Sequence, residues 1–280
     1  MASAEYFAKK SLGQHFLFDL NLTAKIAAGA RRPGADPEAP LAGAHVVEIG
    51  PGPGGLTRAL LSAGATVTAI EKDPRAADVL APLATAADGA LRVEIADALE
   101  TDVAALVPPG AIICANLPYN VATPLIVGWL TAPWPAWWGN ATVMVQKEVA
   151  ERIVAEPSTP AYGRLTVLTA ARARATKLFD VSPSAFVPPP KVWSSVVRLD
   201  PLPAADAPMA ALSRVTAAAF GQRRKMLRSS LKALGEPAAL LAAAGVAPEQ
   251  RAETVPVEGF LAMARALAAR IDRQQKSISS

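Results

Sequence analysis

From residue 45 onward this chain alternates short apolar runs with turns and helix-like segments, and that alternation leaves few folds open. A repeated unit of apolar run, turn and amphipathic stretch reads as parallel strands joined by crossover helices. The strands fall at residues 45–49, 66–70, 91–95, 111–115 and 141–146. Between them, residues 56–63, 74–84, 123–130 and 147–155 have helical composition, with entry signals at Asp73 before Pro74 and at Thr123 before Pro124. The pattern predicts an α/β fold with a doubly wound, mostly parallel, Rossmann-like sheet. Residues 163–174 read as one more helix, and 175–181 with 192–199 as two further strands around a Pro-rich turn, suited to closing the sheet as an antiparallel edge.

Three prolines and no apolar period between Asp200 and Pro208 mark a linker, which divides the chain into a first domain, 1–204, and a small all-helical domain, 205–280. Charge divides at the same place. Residues 1–205 hold 17 Lys and Arg against 18 Asp and Glu, while 206–280 hold 11 against 6, so the whole excess of +4 sits in the last quarter. That is where a polyanion-binding surface is expected. A hydrophobic share of 51% supports an ordinary buried core. No run reaches the roughly 18 apolar residues of a membrane span. Glu5, Lys9 and Lys10 stand where a signal peptide would need an apolar stretch, so a cytoplasmic protein is expected. The single cysteine, Cys114, excludes an internal disulfide and a Cys-rich metal cluster, and its apolar surroundings make it a core thiol.

Residues 48–55, Glu-Ile-Gly-Pro-Gly-Pro-Gly-Gly, follow a strand and open a helix, so a ligand can approach backbone where side chains are missing. Gly50, Gly52 and Gly55 also satisfy a dinucleotide fingerprint, and Glu71, 21 residues after Gly50, would accept from the hydroxyls of any adenosine ribose. Three features point away from a dinucleotide. Pro51 and Pro53 remove two N–H groups from the loop that would cradle a pyrophosphate. Glu48 places negative charge where a diphosphate would lie, which a sulfonium ligand bearing an ammonium group tolerates. Asp97, after the third strand, can accept from an adenine amine.

Asn116-Leu117-Pro118-Tyr119 ends the fourth strand, in the crevice where such sheets bind ligands. An exocyclic adenine amine is a poor nucleophile because its lone pair is delocalised into the ring. The Asn116 carboxamide oxygen can accept one N–H and a main-chain carbonyl at Leu117 or Pro118 the other, which localises the pair on nitrogen. Tyr119 offers a ring for stacking on the base. No metal is required. Further along, residues 221–232 carry five basic residues and no acid. On a helical wheel Phe220, Leu227, Leu231 and Leu234 share one face and Arg224, Lys225, Arg228 and Lys232 the adjoining arc, so Arg223, Arg224, Lys225 and Arg228 become candidate phosphate contacts. Trp129, Trp134, Trp137 and Trp138 read as packing under a Pro-rich loop, because no basic residue interleaves them; His45 reads as a histidine at a strand start.

The chain resembles the bacterial small-subunit (16S) ribosomal RNA adenine N6-dimethyltransferases, the kasugamycin-sensitivity enzymes, over nearly its whole length. The matching stretches are 10–17, the glycine loop, 116–124, 146–149, 162–165 and 186–192. The resemblance implies an S-adenosylmethionine cofactor, held by His15, Leu17, Gly50, Glu71, Asp97 and Asn116, with Phe186 stacking the target base opposite Tyr119. Many relatives have Asn where this chain has His15, and either side chain can hydrogen-bond the cofactor. It also implies dimethylation of two adjacent adenosines in the 3′-terminal hairpin loop of small-subunit rRNA, within an assembling subunit, by a monomer. Two rivals stand beside this reading. One is the resistance-type methyltransferase acting on large-subunit RNA, which tends to have Ile in place of Leu117; the other is an assembly factor whose main role is binding.

Overall fold

A computed structural model of the chain describes residues 14–31, 35–203 and 207–279. Residues 10–13 of the N-terminal motif and 204–206 of the expected linker lie outside the described residues. The strands are β1 (Phe16–Leu17), β2 (His45–Ile49), β3 (Thr66–Glu71), β4 (Leu91–Ile95), β5 (Ala111–Asn116), β6 (Trp138–Gln146), β7 (Ala173–Val181), β8 (Phe186–Val187) and β9 (Ser194–Pro201). Seven of them form one sheet in the order β4-β3-β2-β5-β6-β9-β7, and β1 pairs with β8 in a separate ladder. Strands β4, β3, β2, β5 and β6 run parallel to their neighbours, and β9 lies antiparallel on β6.

The central strands are mostly apolar because both faces are covered. Residues 111–115 of β5 are all buried, whereas in β4 at the edge only Leu91 is. The helices are α1 (Leu20–Gly29), α2 (Gly55–Ser62), α3 (Ala76–Ala86), α4 (Tyr119–Thr131), α5 (Lys147–Ile153), α6 (Arg164–Ala170), α7 (Met209–Gly221), α8 (Leu227–Ser230), α9 (Pro237–Ala243) and α10 (Val257–Ser279). Cys114 is buried in the core beneath the sheet's helices.

By internal packing the chain forms two compact units. The first comprises Met1–Ile126, Ala136–Ala150 and Thr176–Pro201; the second comprises Val127–Pro135, Glu151–Ala175 and Leu202–Ser280. The chain's last crossing falls at the expected linker, but the second unit also takes in α6. In it, Tyr162 donates its hydroxyl to the Val255 carbonyl at 2.8 Å and sets its ring edge-on to Phe220, which stacks on Phe260 with centroids 5.3 Å apart.

Two local expectations change. Helix α6 stops at Ala170 instead of continuing to residue 174, because Ala171 and Arg172 form a turn and the chain enters β7 at Ala173. Alanine-rich composition favours a helix there, and pairing with β9 overrides it. No single helix crosses residues 221–232 either. Helix α7 ends at Gly221, Met226 makes an antiparallel bridge to Arg251, and a short α8 passes into a 3-10 turn over Leu231–Leu234. The wheel drawn through Phe220 and Leu234 therefore does not describe this segment.

Candidate active site

The site begins with the N-terminal segment. Asp19 caps α1, its Oδ1 accepting from the Asn21 and Leu22 amides at 2.9 and 3.1 Å. Immediately before the cap, β1 pairs antiparallel with β8, Phe16 opposite Val187 and Leu17 opposite Phe186. This two-residue ladder brings His15 and Leu17 beside Phe186. His15 Nδ1 lies 2.8 Å from the Pro188 carbonyl, which can only accept, so Nδ1 carries the hydrogen. The imidazole also faces Tyr119, with ring centroids 5.6 Å apart.

Beneath that segment lies the glycine loop after β2. Gly50, Gly52 and Gly54 have φ of 71°, 53° and 84°, the left-handed region that favours glycine. A β-carbon on Gly55 would collide with the Leu17 carbonyl, so the loop and the N-terminal segment are in direct contact. Three of the loop's amides are already engaged. Gly50 N–H donates to Ile70 O at 2.9 Å, Gly54 N–H to Pro51 O at 2.9 Å, and Gly52 N–H to Glu71 Oε2 at 3.3 Å. Pro51 and Pro53 have no N–H to give. With three amides engaged and two prolines, the loop is poorly suited to cradle a pyrophosphate, which adds to the argument from composition against a dinucleotide.

The acidic residues divide by environment. Glu48 is 1% exposed, and burial pushes its carboxyl up to about 8, with the nearby Thr57 hydroxyl pulling down and the Glu71 charge pushing further up. Its Oε2 has no hydrogen-bond partner among the described residues. At neutral pH Glu48 is therefore largely protonated, and the repulsion expected between its charge and a diphosphate is weak. Glu71 is raised by burial as well, against the pull of the Asp73 and Gly52 amides. Asp97 instead sits below its usual range, mainly through the ion pair that Lys72 Nζ makes to its Oδ2 at 2.6 Å, and also through the Leu99 amide on Oδ1 at 3.0 Å.

Asn116 ends β5 next to the glycine loop, because β5 and β2 are neighbours in the sheet. Its Nδ2 donates to the His15 carbonyl at 3.2 Å, which fixes the carboxamide and turns Oδ1 away from that bond. Leu117 is 1% exposed and donates its amide to Met144 O at 3.1 Å, anchoring the turn. The Pro118 carbonyl accepts from the Val121 and Ala122 amides at 3.0 and 3.1 Å, so α4 starts at once, four residues earlier than its composition suggests. The Tyr119 hydroxyl is 2.7 Å from Ser194 Oγ, a bond between residues 75 apart in sequence.

One cavity is lined by His15, Leu17, Gly50, Glu71, Asp97, all four residues of the Asn116–Tyr119 loop and Phe186, so the first unit gathers every site residue expected there. Phe186 lines it with little surface to spare, being 2% exposed and packed in the core. Sequence reasoning missed Lys72, Leu99 and Ser194. Lys72 adjoins Glu71 and was findable by position; the other two are placed only by the fold. The basic candidates lie in the second unit. Arg224 and Lys225 are exposed and make no ion pair among the described residues, whereas Arg223 is paired with Glu253 and Arg228 with Glu249, at 3.3 and 3.2 Å. The bridge to Met226 adds exposed Arg251 to that surface. His45 bonds Thr68 and does not line the cavity; Trp138 is a buried strand residue. Among the described residues no group of three or more His, Cys, Asp or Glu could hold a metal ion, and no helix is long and apolar enough to cross a membrane.

A family model described as ribosomal RNA adenine dimethylase matches residues 7–269. The chain belongs to that family. Among curated dimethylase relatives, "Ribosomal RNA small subunit methyltransferase A" of Rhodopseudomonas palustris (strain TIE-1) is 59% identical over 266 residues, covering 93% of this chain and 90% of the relative. The protein of the same name from Xanthobacter autotrophicus (strain ATCC BAA-1158 / Py2) is 56% identical over 269 residues, with the same coverage. Among solved structures, a dimethyladenosine transferase from Plasmodium falciparum superposes with a TM-score of 0.73 at 26% identity, covering 93% of this chain and 98% of its own. The 23S rRNA methyltransferase ErmE follows at 0.65 and 27%, covering 90% and 99%. The dimethylase family thus accounts for both units and for the sheet that carries the site.

The state of Glu48 generates a prediction about stability. Its folded-state value of about 8 lies above its ordinary 4.5, so the neutral group's contribution is fully present below about pH 4.5 and is lost as pH rises through about 8. The thermal midpoint of the cofactor-free protein should fall more between pH 6 and pH 8.5 than that of Glu48→Gln, which stays neutral. Equal falls in the two proteins would contradict this assignment.

Proposed function

We propose that this dimethylase-family chain transfers methyl groups from S-adenosylmethionine to the exocyclic N6 amines of two adjacent adenosines in the 3′-terminal hairpin loop of small-subunit rRNA. The reading places that work on assembling subunits in the cytoplasm, by a monomer. The observation that carries it is the Asn116 carboxamide, held by the His15 carbonyl at the rim of a cavity whose glycine loop has its Gly50, Gly52 and Gly54 amides already engaged. The cavity fits the cofactor on its own chemistry. Glu48 Oε2, without a partner among the described residues, is on its wall, and an ammonium group beside it would favour the ionised carboxylate; Glu71 and Asp97 stand ready for a ribose and an adenine.

Bound there, S-adenosylmethionine supplies an electrophilic methyl group on a sulfonium. The protein's part is to prepare the nucleophile. Asn116 Oδ1 accepts one N–H of the amine. For the second acceptor the geometry favours Leu117 over Pro118, whose carbonyl is already engaged by the first turn of α4. Two such acceptors favour a pyramidal nitrogen with its lone pair directed at the methyl carbon. Tyr119 stays a neutral phenol, raised by burial against the pull of Ser194, and offers its ring to the base; Phe186 adds an apolar wall. Positioning of this kind supplies several kcal/mol, up to about 7 to 11 in the best intramolecular cases.

An adenine inside a duplex cannot reach such a pocket, so the substrate is a loop or flipped nucleotide. Residues 205–280, with the segments that pack on them, are the RNA-facing part, and Arg223, Arg224, Lys225 and Arg228 the phosphate contacts. Small-subunit RNA is favoured over large-subunit RNA because relatives named for the small subunit reach 59% identity, against 27% for ErmE.

The direct test is to incubate the protein with labelled cofactor and unmethylated small or large subunits and to map the modified base. Dimethylated adjacent adenosines in the small-subunit hairpin are expected; label confined to the large subunit would reassign the enzyme. In the same assay Asn116→Ala should lower kcat by roughly 100-fold or more, the usual loss when one transition-state partner is removed, while leaving the fold intact. Near-normal turnover would sink the mechanism.

Ion pairing within the second unit ranks the cations. Replacing Arg224 and Lys225 together by Ala should flatten the salt dependence of subunit binding by roughly one unit of slope each, since neither makes an ion pair among the described residues, and replacing Arg223 and Arg228 should change it less. Titrations at several salt concentrations decide this; an unchanged slope in the first variant would show a merely solvated surface.

A further inference from the structure

The loop at residues 187–193 joins β8 to β9 and is held at both ends. Pro188 O accepts from His15, and Trp193 O accepts from the Lys147 amide at 2.9 Å. Three consecutive prolines restrict it further, with Pro190 buried as an anchor. A segment so fixed could bury its apolar side chains. Instead Val187, Val192 and Trp193 are 59%, 44% and 50% exposed. Half an indole in water is a large apolar exposure on a rigid support, and such exposure marks contact surfaces.

Position and charge identify the contact. Trp193 directly precedes Ser194, which is fully buried and bonded to the Tyr119 hydroxyl, so its Cα stands about 3.8 Å from that of the residue that holds the base-facing ring. The loop's other end follows Phe186, on the cavity wall. Residues 181–199 contain no acid, and Lys191 is exposed and makes no ion pair among the described residues. The ridge is therefore aromatic and cationic, rigid, and adjacent to a pocket for one base.

We propose that this ridge is a second nucleotide platform, on which Trp193 stacks the unpaired base neighbouring the target adenosine while Lys191 meets a backbone phosphate. The inference rests on the functional reading above. Drawing one adenine into the pocket takes its neighbour off the stack, and an exposed indole restores a stacking partner without reading sequence. With two adjacent adenosines as substrate, the platform holds one while the other is in the pocket.

The test measures binding of unmethylated small subunits by wild type, Trp193→Ala, Trp193→Phe and Lys191→Ala at several salt concentrations, alongside cofactor affinity and methylation. Trp193→Ala should weaken subunit binding by roughly 5- to 150-fold with its salt slope and cofactor affinity unchanged. Trp193→Phe should recover most of the loss, and Lys191→Ala should flatten the slope by roughly one unit. Subunit binding should also quench a component of tryptophan emission that is missing in Trp193→Phe. Trp193→Ala binding like wild type, or losing cofactor affinity in parallel, would overturn the platform. So would a blue shift without quenching, which would indicate a ribosomal protein against the indole. If wild type itself neither bound nor methylated small subunits, the functional reading would fall first; if wild type methylates normally and only the Trp193 results disagree, the platform alone is lost.

Discussion

The site depends on one constraint of the sheet, that β2 and β5 lie side by side although β3 and β4 intervene in sequence. The connections after β2 and after β5 leave toward opposite halves of the sheet, and a crevice opens between the two strand ends. Gly50 follows the first strand and Asn116 ends the second. A cofactor loop and an amine acceptor, more than sixty positions apart in the chain, thereby share a wall. The N-terminal segment completes it from above through β1 and β8, and two of its contacts reach residues near those strand ends: Leu17 against Gly55, His15 against Asn116.

Burial on both faces made the central sheet readable. Strands at His45–Ile49 and Leu91–Ile95 coincide with the apolar runs, and β3 and β5 extend only one residue beyond theirs. What escaped were features whose energy is not local. The β1 and β8 ladder pairs residues some 170 positions apart, and two residues are too short to leave a pattern. Helix α1 is amphipathic only weakly and is fixed by its Asp19 cap and its packing on α2. Residues 221–232 failed in the opposite way, since a helix-like spacing of leucines was broken in space by the Met226 bridge to Arg251.

The site residues were legible for a related reason. Glycines with positive φ, and an Asn-Leu-Pro run at a strand end, are choices the backbone constrains, so they survive as motifs. Partners recruited by the fold leave no such trace. Ser194 and Leu99 are ordinary residues until β9 and the turn after β4 carry them to Tyr119 and Asp97. Electrostatic state is likewise a property of the folded molecule. Glu48 looks in sequence like a fixed negative charge, but burial favours its neutral form, whereas Asp97 is held in its charged form by Lys72.

The bond from Asn116 Nδ2 to the His15 carbonyl has a chemical consequence for what position 116 can be. An aspartate there would have the same shape and an equally good acceptor for an amine. It would also turn a second oxygen, without a hydrogen, toward the lone pairs of that carbonyl, and the two would repel. Amide and acid differ here by one atom and one charge, yet only the amide lets the N-terminal strap close over the strand end while an oxygen stays available to the base.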